Sequence, residues 1–278
     1  MKIGILTQPL HSNYGGLLQN YALQQTLIRA GHEVETVDWE GAGKGLRCLL
    51  YDIKVKTFHF LSPSKYPQMR YRPNAKERAI IQRNTNHFIN TYIKHTETIH
   101  SYDGFVKQAE EGRYRAFVVG SDQCWRPCYN TFLKSMFLDF VKDKQVKRIA
   151  YAASFGTDKW EFTPQQTRGC KVLAQQFNLV TVREDSGVKL CKEHLGVDAV
   201  HVLDPTMLLT KEDYIQLIEQ EKEPKSSGTL FNYILDPDEK KAAFIQHIAE
   251  ANELRSFQVL PKCQAETRTK KDVKTRIG

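Results

Sequence analysis

Lys2 to Thr7 is a short apolar run, Gln8 to Gly16 reads as a loop, and Leu17, Tyr21 and Ile28 then fall on one helical face. Gly31 stops that helix, and Glu33 to Asp38 alternates as a second strand. A strand, a crossover helix and a strand in this order form a β-α-β unit, which demands parallel pairing. The theme recurs in apolar runs at Ala116 to Val119, Arg148 to Ala153, Leu179 to Val182 and Ala199 to Leu203, with helical patterns at Gln165 to Phe177 and Ser186 to Leu195 between them. Residues 1–205 therefore read as one Rossmann-like α/β domain, a doubly wound parallel sheet.

Two stretches break the rhythm. Residues 41–115 read as an insertion, with Gly41, Gly43 and Gly45, then Ser62-Pro63-Ser64 and Tyr66-Pro67, giving loops before a helical segment from Asn74 to Tyr92. Residues 206–228 read as a connection, a helix from Lys211 to Glu221 followed by a polar linker to Gly228. A strand at Thr229 to Leu235, a helix at Pro237 to Asn252 and a strand at Ser256 to Leu260 then make residues 229–278 a partial second Rossmann-like domain. Two strands and a helix offer too little apolar surface to stand alone.

With 278 residues, 41% of them apolar, the chain is long enough for one large domain or two smaller ones, which argues against disorder. The mean hydropathy of −0.50 and the shortness of every apolar run argue against a membrane-spanning helix. Met1-Lys2 leads straight into Ile3-Gly4-Ile5-Leu6 without a signal-peptide pattern, so the cytoplasm is the expected compartment. The cysteines at 48, 124, 128, 170, 191 and 263 lack zinc-site spacing and disulfide density and are read as reduced thiols, with no metal. Net charge is +8, and the stretch from Gly41 to Arg115, with 14 basic and 6 acidic residues, carries as much by itself. No nucleic-acid signature accompanies it, so small anions or a solvated face are favoured over DNA or RNA.

In an open parallel sheet the ligand crevice lies outside the carboxyl ends of the strands. The segments expected there are His11-Ser12-Asn13-Tyr14-Gly15-Gly16, Ser121-Asp122-Gln123, Ser154-Phe155-Gly156, Arg183-Glu184-Asp185-Ser186 and Asp204-Pro205. Asn13 to Gly16 leads into a helix N-terminus, where free amides suit a phosphate or carboxylate; the alternative is an ordinary cap with glycines for a tight turn. Asp122 is placed to accept hydrogen bonds from sugar hydroxyls or to act as a base, or simply to cap a turn. Arg183 could hold an anion in bidentate fashion, or pair with Glu184 or Asp185. His11 is the best-placed histidine for proton transfer, but a lone loop histidine is weak support for catalysis. Neither GxGxxG nor a Walker sequence is present.

At these loops the chain resembles the polysaccharide pyruvyl transferase family. The residues that carry the resemblance are Lys2-Ile-Gly-Ile-Leu-Thr, His11-Ser-Asn-Tyr-Gly-Gly-Leu-Leu-Gln19, Val118-Val-Gly-Ser-Asp-Gln-Cys-Trp-Arg-Pro127, Arg148-Ile-Ala-Tyr-Ala-Ala-Ser-Phe-Gly156, Val182-Arg-Glu-Asp-Ser-Gly187 and Val202-Leu-Asp-Pro-Thr206. The resemblance implies a GT-B-like pair of Rossmann-like domains, the second incomplete here, and transfer of a pyruvyl group from phosphoenolpyruvate to a sugar hydroxyl pair as a ketal. It implies Asp122 as catalytic, and Asn13, Gly15, Gly16, Ser121, Gln123, Ser154, Gly156 and Arg183 as substrate-binding. Phosphoenolpyruvate and a saccharide are the expected partners, with no cofactor, no nucleic acid and no integral membrane segment, and an oligomer is left open. Cys124 stands where an aliphatic residue is common, a change expected to touch packing only. The family also carries an Asp-Ser-Phe-His-Gly-like segment that this chain lacks, so binding without efficient turnover is expected. The rival readings are a nucleotide-sugar glycosyltransferase of GT-B type and an inactive saccharide-binding fragment.

Overall fold

The structure is a computed structural model that describes residues 1–41, 75–222, 226–234 and 238–258. The chain divides into two compact units, Met1–Gly43 with Asn84–Tyr214, and Lys44–Arg83 with Ile215–Gly278.

The first unit is built on strands β1 (Lys2–Leu6), β2 (Glu33–Thr36), β3 (Ala116–Val119), β4 (Lys147–Ala153), β5 (Leu179–Val182) and β6 (Val200–His201). They form one six-stranded parallel sheet in the order β2-β1-β3-β4-β5-β6. Register runs from Lys2 beside Glu33 on one side of β1 and from Ile3 beside Ala116 on the other. The sheet agrees with the periodic reading, and β5 and β3 occupy the residues expected.

Alternation along the strands divides the core between two faces. Ile3, Ile5, Ala116 and Val118 pack with Leu23 and Val34 on one side. Leu6, Phe117, Val119, Ala150 and Ala153 join Trp39, Phe105, Trp125, Phe137 and Phe140 on the other. The first face is covered by helix α1 (Tyr14–Arg29), which buries Leu17, Tyr21 and Leu23. Ile28, expected on the same face, is 41% exposed; the inward apolar residue of that last turn is Leu27.

Within the region read as an insertion, residues 42–74 lie outside the described residues, and with them half of its 14 basic residues. The expected helix from Asn74 to Tyr92 is two, α2 (Ala75–Ile81) and α3 (Arg83–Tyr92), separated at Gln82. A further helix, α4 (Tyr102–Glu111), was not anticipated. Phe105 is its one fully buried residue, Val106 and Ala109 pack beside it on the core, and the helix starts at its cap, Gly104 N–H donating to Ser101 Oγ at 3.2 Å. Thr36 with His95 and Trp39 with Ile99 form parallel bridges that extend the β2 edge.

Helix α5 (Pro164–Ala174) follows β4, with a capping box between Thr163 and Gln166, and α6 (Asp185–Leu190) follows β5 and continues as a π-helical turn to Leu195. Helix α7 (Lys211–Glu221) covers the residues expected. In the second unit, β7 (Leu230–Phe231) pairs in parallel with β8 (Ser256–Phe257), and α8 (Glu239–Ala251) is capped by Asp238, which accepts from Lys241 N–H at 2.8 Å. Both strands are shorter than expected, and Leu235, Leu260 and the chain to Gly278 lie outside the described residues. Among the described residues no helix is long and apolar enough to cross a membrane.

Candidate active site

The order of the sheet locates the site. The chain steps from β1 outward to β2 and then returns to place β3 on the other side of β1, so the loops after β1 and β3 diverge and leave a crevice between them. Asn13 and Asp122 meet across it, Asn13 Nδ2 donating to Asp122 Oδ2 at 2.9 Å. Asn13 is also the N-cap of α1, its Oδ1 accepting from Gly16 N–H at 3.2 Å. The amides of Tyr14 and Gly15 are first-turn donors with no carbonyl four residues back inside the helix. A side chain at Gly16 would lie 3.1 Å from Asn13 Nδ2 and 3.5 Å from Asp122 Oδ2, so the absence of one lets the cap and the carboxylate come together.

The backbone of the second loop is held hard. A Cβ at Gly120, which has φ +135°, would sit 1.9 Å from the Tyr151 carbonyl oxygen, so only glycine fits the end of β3. Asp122 itself lies in the left-handed region, φ +63°, tied there because its carbonyl accepts from Cys124 N–H at 2.8 Å and Ser154 N–H at 3.0 Å. Ser121 is wholly buried: its carbonyl accepts from Thr7 Oγ1, and its own hydroxyl has no partner among the described residues. Gln123 lies against Gly156, with Oε1 2.1 Å from where a Cβ would be, and accepts from Arg126 Nη1 at 3.0 Å.

Arg183 leaves the end of β5 among carboxylates. Its Nη1 reaches Asp204 Oδ2 at 3.3 Å, its Nε reaches Glu184 Oε1 at 3.4 Å, and Nη2 lies 3.9 Å from Asp122 Oδ1. Nη2 also donates to Ser154 Oγ at 3.3 Å. Ser154, with no exposed surface, donates in turn to Glu184 Oε1 and accepts from Gly156 N–H at 3.0 Å. Burial works against the guanidinium charge most strongly, yet Glu184, Asp204 and Asp122 together raise its affinity for the proton above that of an ordinary arginine. The side chain of Arg183 remains 25% exposed and that of Asp122 16%, so both are open to a ligand.

The structure thus gathers Asn13, Gly16, Asp122, Ser154 and Arg183 into one connected cluster, with Gln123 and Gly156 beside it and Gly15 on the exposed first turn of α1. Ser121 and Ser154 are enclosed and work through their neighbours. The pairing of Arg183 with Glu184, weighed in the sequence, is present. Two partners lie outside the residues expected to bind substrate: Asp204, and Gln19, which donates through Nε2 to Asp204 Oδ2 at 2.5 Å. Both stand in stretches that carry the family resemblance, Asp204 as an acidic residue after the last strand and Gln19 as a polar residue on the buried side of α1.

His11 stands apart from this cluster. Desolvation lowers its pKa below the usual histidine value, opposed by Asp38 and Glu40, and Ser12 N–H donates to its Nδ1 at 2.7 Å, a bond made by the neutral ring. Burial pushes the Cys124 thiol up to about 12, in keeping with a packing role. Among the described residues, no group of histidine, cysteine, aspartate and glutamate side chains is arranged to hold a metal ion.

A six-stranded parallel sheet flanked by helices, with a guanidinium, carboxylates and a capped helix at its switch point, places the chain among the Rossmann-like α/β proteins. The family model for polysaccharide pyruvyl transferase matches residues 13–273, and the chain belongs to that family. It is by this resemblance a transferase of pyruvyl groups in polysaccharide formation. No curated protein matches the chain.

Proposed function

We propose that the protein transfers the enolpyruvyl carbons of phosphoenolpyruvate to two hydroxyls of one saccharide, forming a cyclic ketal. The observation that carries this reading is the meeting of Arg183 and Asp122 at the switch point, one group for an anion and one for a hydroxyl, within 3.9 Å of each other. In the reaction, a proton from solvent adds at C3 of the donor, a sugar hydroxyl oxygen bonds to C2 as its proton passes to Asp122, and the bond from C2 to the phosphate oxygen breaks to release phosphate. The second hydroxyl then closes on C2 and gives its proton to the released phosphate.

Arg183 and the first-turn amides of α1 would hold the donor's phosphate or carboxylate. Asp122, oriented by Asn13, would receive the hydroxyl proton, its Oδ1 facing away from that hydrogen bond. Gln123 would offer a further hydroxyl contact. Ser154 fixes Arg183 rather than touching substrate.

The test follows phosphate release and saccharide mass together, with hexose and oligosaccharide acceptors. The reading expects equal amounts of phosphate and pyruvylated acceptor. In Arg183→Ala, donor binding should weaken by about 1.5–3 kcal/mol, the scale of a hydrogen bond to a charged group. Phosphate release without any change in acceptor mass would overturn the reading.

A further inference from the structure

Arg183 presents a problem for any anionic substrate. The two terminal nitrogens of its guanidinium, the pair that would grip a phosphate or carboxylate side by side, are both turned to protein oxygens, Nη1 to Asp204 and Nη2 to Ser154. Formal charge in the cluster is against an anion as well, since Asp122, Glu184 and Asp204 all face one cation. A trianionic donor therefore binds only by displacing or sharing one of these contacts.

Asp204 is the contact that decides this. Its Oδ1 is committed to its own turn, accepting from Thr206 N–H at 3.0 Å and Thr206 Oγ1 at 2.8 Å, while Oδ2 takes both Gln19 Nε2 and Arg183 Nη1. It thus joins α1, the end of β5 and the turn after β6 through one carboxylate. Glu184 differs: it reaches Arg183 through Nε, the nitrogen away from the fork, and shares its Oε1 with Ser154. The bond from Nη1 to Asp204 is long, at 3.3 Å, so exchanging it for a stronger anion costs little.

We propose that Asp204 is a positioning residue that holds the Arg183 fork in place of the substrate's anionic group and thereby sets the affinity of the site for its donor. The assignment rests on the pyruvyl-transfer reading for the identity of the donor, and on geometry alone for the competition. Asp204 gives Arg183 one orientation in the empty site and excludes weak monoanions. A donor that brings more charge than one carboxylate takes the fork from it.

Asp204→Asn separates this from a merely structural role. An asparagine can still accept from Thr206 through Oδ1, and its Nδ2 would face Gln19, whose Oε1 is buried without a partner among the described residues and would become that partner once the amide turns over. Arg183 Nη1 is then released. Affinities of the 278-residue chain for phosphoenolpyruvate and for inorganic phosphate are measured by calorimetry at matched ionic strength, for the parent, Asp204→Asn, Asp204→Ser, and each combined with Arg183→Gln. Asp204→Ser also keeps a capping hydroxyl and serves where the asparagine variant does not fold.

Removing the carboxylate should tighten both anions by about tenfold, the effect of one unit charge withdrawn a few ångströms away in a partly screened site. The gain should vanish with Arg183→Gln. Unchanged or weaker binding by a folded variant would overturn the proposal, as would a gain that survives the loss of Arg183. If the gain appears and depends on Arg183 while no saccharide is ever pyruvylated, the competition stands and the functional reading fails.

Discussion

Asp122 combines a left-handed backbone, a carbonyl held by two amides and a carboxylate held by Asn13. Its position is therefore set by the main chain, so the side chain can be changed without moving the loop. Asp122→Asn should lower the rate of pyruvyl transfer by about 10²- to 10⁴-fold, the range for loss of a general base, with the melting temperature nearly unchanged. Steady-state kinetics beside a thermal melt checks this. The cysteines offer a second residue-scale test. Burial pushes the thiols of Cys124, Cys170 and Cys191 up to about 12, whereas Cys128 is exposed. Near pH 8 a thiol-alkylating reagent should modify Cys128 in the native protein and leave these three unmodified until denaturant is added, as read by peptide mass mapping.

At the scale of elements, the site depends on how strands end rather than on how they run. Gly120 ends β3 against the Tyr151 carbonyl, and Gly120→Ala would force β3 and β4 apart at the sheet's centre. A loss of about 3 kcal/mol or more is expected, since both backbone crowding and an unfavourable φ are imposed together; urea denaturation measures it. Arg148 plays a different part on β4. Only 5% exposed, it donates from Nη2 to the carbonyls of Val141, at 2.6 Å, and Asp143, at 3.3 Å, and so fastens the loop before β4 to the strand. Arg148→Met should cost about 1–3 kcal/mol, because those carbonyls lose their donor inside the protein.

At the scale of the whole molecule, the net charge of +8 invites comparison with nucleic-acid-binding proteins. Charge alone supplies only salt-sensitive, sequence-independent binding. The candidate site is by contrast rich in carboxylates, and Arg183 is already engaged. Fluorescence anisotropy with random duplex DNA at about 150 mM salt should show dissociation constants no tighter than about 10⁻⁶ M, the non-specific range. Tight binding there would argue that the basic stretch, not the switch point, is the working surface.

Alternating apolar strands and helical faces determined the parallel sheet by themselves, since a strand with both faces buried and a crossover helix leaves few other solutions. The positions of Asn13, Asp122, Ser154 and Arg183 at strand ends were legible for the same reason. Helix α4 escapes the reading because Phe105, Val106 and Ala109 give only two turns of apolar spacing inside a stretch broken by loop residues, and Ile28 points out because a helix's last turn can run past the sheet it covers. What only the tertiary structure decided is which side chains meet. Asn13 and Asp122 are 109 positions apart, and Gln19 and Asp204 185 apart, and no local pattern records a contact closed by the sheet between them. The same closure adds Asp122 and Asp204 to the one carboxylate, Glu184, that neighbours Arg183 in the chain, because charges on separate loops act on one another only after the fold has brought them within a few ångströms.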